Sequence, residues 1–295
     1  MQSLLATLAA LHVKIEVRDG KLHVNAPAGV LTPELQREIG RHRDALIEKL
    51  REARVPVPES ELPHIVPDPE RAHEPFPLND VQHAYWIGRS GHLELGEVSS
   101  HIYFEFECGE LDPERLSAAF RNVIAMHGML RAVIDVNGRQ RILPEVPGYE
   151  IAVHDVRGDG PERQAAELER VRSEMSHQVF PCDRWPLFEI RLIRLGEGRS
   201  RLCVSLDFLV LDAWSMLIIF RQWYAFYENP ALPVGEPGLS FRDYVLAEAG
   251  LKETLSWQAS KKYWWDRLDS LPPAPLLPVV NKIERGRKHL FRRRR

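Results

Sequence analysis

Residues 186–215 read PLFEIRLIRLGEGRSRLCVSLDFLVLDAWS. PLFEIRLIRL and RSRLCVSLDF are strand-like runs flanking Gly196-Glu197-Gly198, which makes a strand, a turn and a strand. The apolar stretch AWSMLIIFRQWYAFYE, residues 213–228, then reads as a buried helix. Asp207, Asp212 and Ser215 fall within nine residues at this strand-to-helix junction, a common place for functional groups held on a rigid scaffold. An Asp among Leu, Val and Phe must find a cation or hydrogen-bond donors, or its pKa rises. The plainer reading makes Asp212 an N-cap, its carboxylate taking the amide of Ser215, and Asp207 the polar end of a strand. Spacing alone favours that reading.

The surrounding sequence extends the same mixture. HIYFEFE, residues 101–107, alternates as a strand does, and Asp112-Pro113 opens a helix carrying Leu116, Phe120, Val123 and Ile124 that Gly128 stops. LRAVIDV and RQRIL flank Asn137-Gly138, a hairpin signal. Residues 161–178 form a charged amphipathic helix, and two more helices are expected near 240–250 and 254–270. Strands and helices are interspersed without a strict βαβ repeat, so the fold class is α+β, layered.

Residues 1–53 stand apart. Leu4, Leu5, Leu8 and Leu11 mark a helix face, and KIEVR and KLHVN alternate around Asp19-Gly20, where a tight hairpin turn needs positive φ. Thr32-Pro33 opens a further helical stretch that Gly40 divides, giving the order helix, hairpin, helix, helix. Residues 54–75 hold six prolines and read as a linker. Residues 76–280 form the larger unit.

The chain has 295 residues and a net charge of −3, so its total charge does not suggest nucleic-acid binding. That total conceals an asymmetry. Residues 281–295 carry eight basic residues against Glu284, a surplus of seven, which leaves residues 1–280 at −10. The tail is expected to be disordered; its Arg292–Arg295 run suits RNA or anionic lipid, but reads first as an abnormal chain end. Cys108, Cys182 and Cys203 lack CxxC spacing, which argues against a zinc ribbon or thioredoxin-type site, and a reducing, cytoplasmic location is expected. No His spacing suggests a metal, and no glycine-rich phosphate loop appears. No signal peptide is evident, and the longest apolar run, 208–220, is too short to span a bilayer, so no membrane role is expected. The aromatic residues Trp214, Trp223, Tyr224, Trp257, Trp264 and Trp265 are read as core and helix packing. His83 and His101 are read as surface or packing residues, and His127 as either a channel or a structural residue.

Asp207, Asp212 and Ser215 match the DxxxxDxxS signature of heterocyclization domains of nonribosomal peptide synthetases, a branch of the condensation-domain family. Four further blocks resemble that family in order: FPLNDVQHAYWIGR (76–89), HGMLRAV (127–133), DRWPLFEIRL (183–192) and KKYWWDRLDSLPPAPLLPV (261–279). The resemblance implies one chloramphenicol-acetyltransferase-like lobe of a condensation-family domain. Ordinary condensation domains carry HHxxxDG here. In that register Phe208 replaces the second His, and phenylalanine can neither take nor donate a proton. The implied reaction joins an upstream acyl or peptidyl thioester to a Cys, Ser or Thr thioester and closes a thiazoline or oxazoline ring with loss of water. Both substrates would arrive on the phosphopantetheine arms of peptidyl carrier domains, with no cofactor bound directly and no metal.

The resemblance also implies that Asp212 is buried against Arg131, as a structural partner of the motif, while Asp207 and Ser215 face the reaction channel. Residues 1–53 resemble a TubC-type N-terminal docking domain, which receives the C-terminal tail of an upstream synthetase subunit. A hairpin edge can add a peptide strand, and Lys14, Arg18, Lys21 and His23 would favour an acidic tail. Against this, Glu16 and Asp19 weaken any basic patch, and the four residues also suit the solvated face of a hairpin. The matched blocks stop near Val279, so the expectation is a chain lacking the family's second lobe. Two readings follow: a heterocyclization enzyme drawing that lobe from another chain, or a truncated, non-catalytic docking protein.

Overall fold

A computed structural model describes residues 2–11, 13–18, 21–27, 29–53, 62–89, 98–235 and 238–273. The chain divides into two compact units, residues 1–62 with 251–271, and residues 63–250 with 272–295.

In the first unit, α1 (Gln2–Ala10) precedes the antiparallel strands β1 (Lys14–Arg18) and β2 (Lys21–Asn25), followed by α2 (Pro33–Arg41) and α3 (Arg43–Ala53). Thr32 caps α2 by accepting the amide of Leu35 at 3.2 Å, with Pro33 in the first turn. The break between α2 and α3 falls at His42, two residues beyond Gly40. Leu4, Leu8, Val13, Leu35, Ile39 and Leu46 form the core, against which Ile15, Leu22 and Val24 of the hairpin pack. Lys14, Glu16, Lys21 and His23 consequently face outward. The Asp19-Gly20 turn and the Arg18 side chain lie outside the described residues. The unit also holds α9 (Leu255–Trp265).

The second unit begins with part of the proline-rich segment. A 3-10 turn at Pro69–Arg71 is capped by Asp68, His73 Nδ1 donates to the Ile142 carbonyl at 2.9 Å, and Glu74 meets Arg242 at 2.9 Å. These bonds fix residues 68–74 to the unit; residues 54–61 and the basic tail lie outside the described residues. Next come β3 (Phe76–Pro77), α4 (Asp80–Gly88), β4 (His101–Cys108), α5 (Pro113–Met126), β5 (Ala132–Ile134) and β6 (Arg139–Ile142). Then follow β7 (Ala152–Asp155), α6 (Pro161–Met175), β8 (Phe188–Gly196), β9 (Arg199–Asp207), α7 (Ala213–Glu228) and α8 (Phe241–Gly250).

The main sheet has the order β4-β9-β8-β7, antiparallel except for the parallel pair β7–β8. Glu197 (φ 54°) and Gly198 (φ 69°) both adopt the left-handed region, the geometry a two-residue hairpin turn requires. In the β5–β6 hairpin only Gly138 (φ 70°) does so, and Asp135 Oδ1 accepts the amides of Asn137 and Arg139 instead.

Alternation then sorts the side chains. Phe188, Ile190, Leu192, Leu202, Val204 and Leu206 meet Phe120 and Val123 of α5 and Ile219 and Trp223 of α7 in one core. Ile193, Leu195 and Cys203 lie on the other face with Val171 and Met175 of α6. The second unit is thus a mixed α+β lobe, as expected, with α5 and α7 on one face of the main sheet and α6 on the other. The strands β3-β6-β5 form a second, small sheet.

Charge pairing completes the α6 face. Glu105 receives both prongs of Arg172, one at 2.7 Å, with Arg201 Nη1 at 3.3 Å and the Tyr103 hydroxyl at 3.1 Å. Burial is the largest single influence on Glu105 and opposes its ionisation, but Arg172, Tyr103 and Arg201 together outweigh it and hold the carboxyl below its usual range. A depressed carboxylate pKa adds stability that is present above the ordinary Glu range and lost as pH falls through the folded-state value. Glu105→Gln is therefore expected to destabilise the protein at neutral pH, with the difference vanishing in acid; urea melts across pH check this.

Candidate functional site

The junction after β9 places its two carboxylates in opposite surroundings. Asp207 is the last residue of β9 and fully buried. Its Oδ1 accepts the Leu209 amide at 2.9 Å, its Oδ2 accepts the Ser99 hydroxyl at 2.8 Å, and Arg89 donates to the same Oδ2. Arg89 sits immediately after α4, is almost as deeply buried, and also reaches Ser99 Oγ at 3.0 Å and the Phe180 carbonyl at 3.1 Å. A buried carboxylate is tolerated here because a guanidinium, a hydroxyl and an amide all point at it.

Asp212, in contrast, is exposed and extended (φ −115°, ψ −178°) as the N-cap of α7. Its carboxylate accepts the Ser215 amide at 2.7 Å. That amide bond, aided by the Ser215 hydroxyl, pulls the carboxyl below the usual Asp range, so Asp212 is ionised at neutral pH.

Asp212 and Ser215 open onto a cleft of about 1070 Å³ in the second unit. Its walls are Tyr85 of α4, Met126 at the end of α5 with the following segment His127–Arg131, Phe208–Leu211, Phe241 of α8, and Pro67–Pro69 with His73. His127 is tied through Nε2 to Gln222 of α7. Among the described residues no group of three or more His, Cys, Asp and Glu is placed to hold a metal ion, and no helix is long and apolar enough to cross a membrane.

Two expectations are corrected. Arg131 does not pair with Asp212: it donates to the carbonyls of Ile124 (2.6 Å), Ala125 (2.7 Å) and Leu143 (3.1 Å), closing the C-terminal end of α5. The motif's buried acid is Asp207, and Asp207 does not line the cleft; Asp212 does. The cation that Asp207 requires is Arg89, at the end of the first matched sequence block. Its place in that block is the signal the sequence offers, but a separation of 118 residues hides the pairing. The aromatic residues also divide. Trp223 is buried, donating to the Leu116 carbonyl at 3.0 Å, whereas Trp214, Tyr224, Trp264 and Trp265 are exposed. His83 is exposed and stacked on Trp86; His101 is half-buried.

In the docking hairpin, Glu16 stands opposite His23 and Arg18 opposite Lys21. Lys14, Lys21 and His23 project outward, and among the described residues no third strand pairs with β1 or β2.

Comparison with known proteins agrees with these features. The Condensation domain family matches residues 73–290, and the TubC N-terminal docking domain family matches residues 1–52. Pyochelin synthetase PchF of Pseudomonas aeruginosa is 34% identical over 277 residues, which is 94% of this chain and 15% of that protein. Phenyloxazoline synthase MbtB of Mycobacterium tuberculosis is 36% identical over 228 residues, 75% of this chain and 16% of that protein. Among solved structures, the EpoB NRPS cyclization-docking bidomain from Sorangium cellulosum superposes with a TM-score of 0.71 at 39% identity, covering 94% of this chain and 54% of that one. The chain thus spans about a seventh of those synthetases and about half of the bidomain.

Proposed function

Because the chain belongs to the condensation-domain family, with a TubC N-terminal docking domain at its start, we propose that it serves nonribosomal peptide synthesis as a docking and heterocyclization module. The observation that carries this reading is the pair Asp212 and Ser215 at the cleft, with Phe208 in the wall where the ordinary condensation motif has histidine.

The reaction has two stages. The amine of a Cys, Ser or Thr thioester attacks the upstream acyl thioester; a C–N bond forms, the C–S bond breaks, and the proton leaves with the departing thiol. The side-chain thiol or hydroxyl then adds to the new amide carbonyl, whose oxygen takes up a proton. That hydroxyl departs with the N–H proton as water, leaving the C=N of a thiazoline or oxazoline.

Holding two tethered reactants together supplies much of such a barrier. Asp212 is ionised but, with its carboxylate stabilised by the Ser215 amide, a weak base. Its best contribution is to accept a hydrogen bond from the attacking thiol or hydroxyl, orient it, and relay its proton. Phe208 keeps a proton-transfer group away from the amine and leaves the first stage to proximity. Both substrates arrive on phosphopantetheine arms of peptidyl carrier domains.

The outward residues Lys14, Lys21 and His23 and the strand edges suit an acidic, extended C-terminal tail of an upstream subunit. Titrating that tail peptide into the labelled full chain is expected to shift the amides of β1 and β2. Unmoved hairpin amides would remove strand addition from the proposal. Binding without any ring formation would instead favour a docking role alone.

A further inference from the structure

We propose that Gln82 and Gln140 form a positioning clamp that sets where the loop Phe208–Leu211 delivers Asp212 and Ser215. The inference rests on the reading of the cleft as the ring-forming site.

The loop carries only apolar side chains, and Leu209, Val210 and Leu211 are buried. Its backbone polar groups therefore need partners from elsewhere. Phe208 N donates to the Ser100 carbonyl at 2.9 Å, while Leu209 N and Val210 N turn back to Asp207. The Leu209 carbonyl is taken by Gln82 Nε2 at 2.7 Å.

Gln82 is itself held on every side. It lies in the first turn of α4, where it exchanges bonds with Asn79: its amide reaches Asn79 Oδ1 at 2.8 Å, and its Oε1 receives the Asn79 amide at 3.2 Å. Its Nε2 donates to Gln140 Oε1 at 2.9 Å, and Gln140 Nε2 returns a bond to Gln82 Oε1 at 2.8 Å. The second proton of Gln140 Nε2 goes to the Pro77 carbonyl at 3.0 Å. All four amide protons are used, and turning either amide over would set donor against donor and acceptor against acceptor. Both side chains are buried, Gln140 completely.

Two apolar residues of the same size would fill this space without needing partners. A fully satisfied amide pair instead selects one arrangement of the four segments it joins. Those segments are β3, the start of α4, β6 and the loop, and Asp212 follows Leu209 by only three residues. A displacement near 1 Å at a reacting group can cost about 100-fold in rate.

The test uses the full chain with Gln82→Met, which keeps length and removes both donors, and Gln82→Glu, which keeps shape. Thermal melts confirm folding, carboxyl NMR follows the titration of Asp212, and ring and amide products are counted from carrier-bound substrates. The Met variant is expected to fold, to return Asp212 toward ordinary Asp titration, and to lower kcat for ring formation about 10–100-fold with KM unchanged. The Glu variant, able to donate to the Leu209 carbonyl only when protonated, should regain ring formation as pH falls, a dependence absent from the parent. If Met does not fold, this pH dependence carries the test. A lowered melting temperature with unchanged Asp212 titration and an unchanged ratio of ring to amide would overturn the clamp. A parent protein that makes no ring would count against the assigned reaction, and the Asp212 titration would still decide the clamp.

Discussion

Replacing Asp207 with Ala is expected to lower the stability of the second unit by about 3–5 kcal/mol, because Arg89 is left as an unpaired buried charge. For a unit of this size the melting temperature would fall by roughly 6–20 °C. The loss has several parts. Arg89 keeps its bonds to Ser99 Oγ and the Phe180 carbonyl but loses its counter-ion. The Ser99 hydroxyl and the Leu209 amide lose an acceptor inside the protein. Removing both charges with apolar residues, as in Asp207→Leu with Arg89→Met, is expected to recover most of the stability, since a buried ion pair gives little net gain over a packed apolar pair. A single Asp207→Ala variant within about 1 kcal/mol of the parent would show that the pair is not formed as described.

Replacing Asp212 is expected to do the reverse, costing little stability and most of the ring-forming activity. As an N-cap its carboxylate is worth about 1 kcal/mol, and Asp212→Ala loses that along with the charge. Asp212→Asn separates the two roles. Asn caps a helix as well as Asp, so the Ser215 amide keeps its acceptor and the fold its stability. What disappears is the anion facing the cleft. Ring formation is expected to fall about 10²–10⁴-fold in both variants, while uncyclised amide still forms. The cap also has a pH signature. The Asp212 carboxyl lies below the usual range, so its extra stability is present above that range and is lost as pH falls through the folded-state value. The parent should therefore lose this increment in acid, whereas the Asn variant, whose cap does not titrate, should keep its own, so two proteins equally stable at neutral pH diverge as pH falls.

The elements were legible in the sequence because their signals are local. Pro113 after Asp112, the Gly196–Gly198 turn and the alternation through 188–207 each specify a few residues of backbone, and the chain adopts them as written. The N-cap geometry of Asp212 was legible for the same reason, being a contact over three residues. The strand β7 was not: its four residues AVHD have no strong pattern, and it exists through its parallel partner β8. The helix α7 is apolar almost all round, so its sequence suggested burial everywhere. In the structure Ile219, Trp223 and Phe226 face the core, at spacings of four and three, while Trp214, Leu217 and Tyr224 do not.

The roles of the two motif carboxylates were the hardest part to read. Each satisfies the same spacing pattern, and the deciding fact is which of them meets a buried cation. Arg131 was the expected partner, but the carbonyls at the end of α5 claim it. Arg89, at the end of α4, takes Asp207 instead, and only tertiary structure brings those residues together.

The most direct test of the account is a single-turnover assay of the full chain with acyl-loaded and cysteinyl-loaded carrier proteins, reading the carrier-bound products by mass. The parent is predicted to give a product lighter than the amide by one water, and Asp212→Asn, equally stable, to stop at the amide. Ring formation undiminished by Asp212→Asn would contradict the account, as would a folded parent that yields no ring.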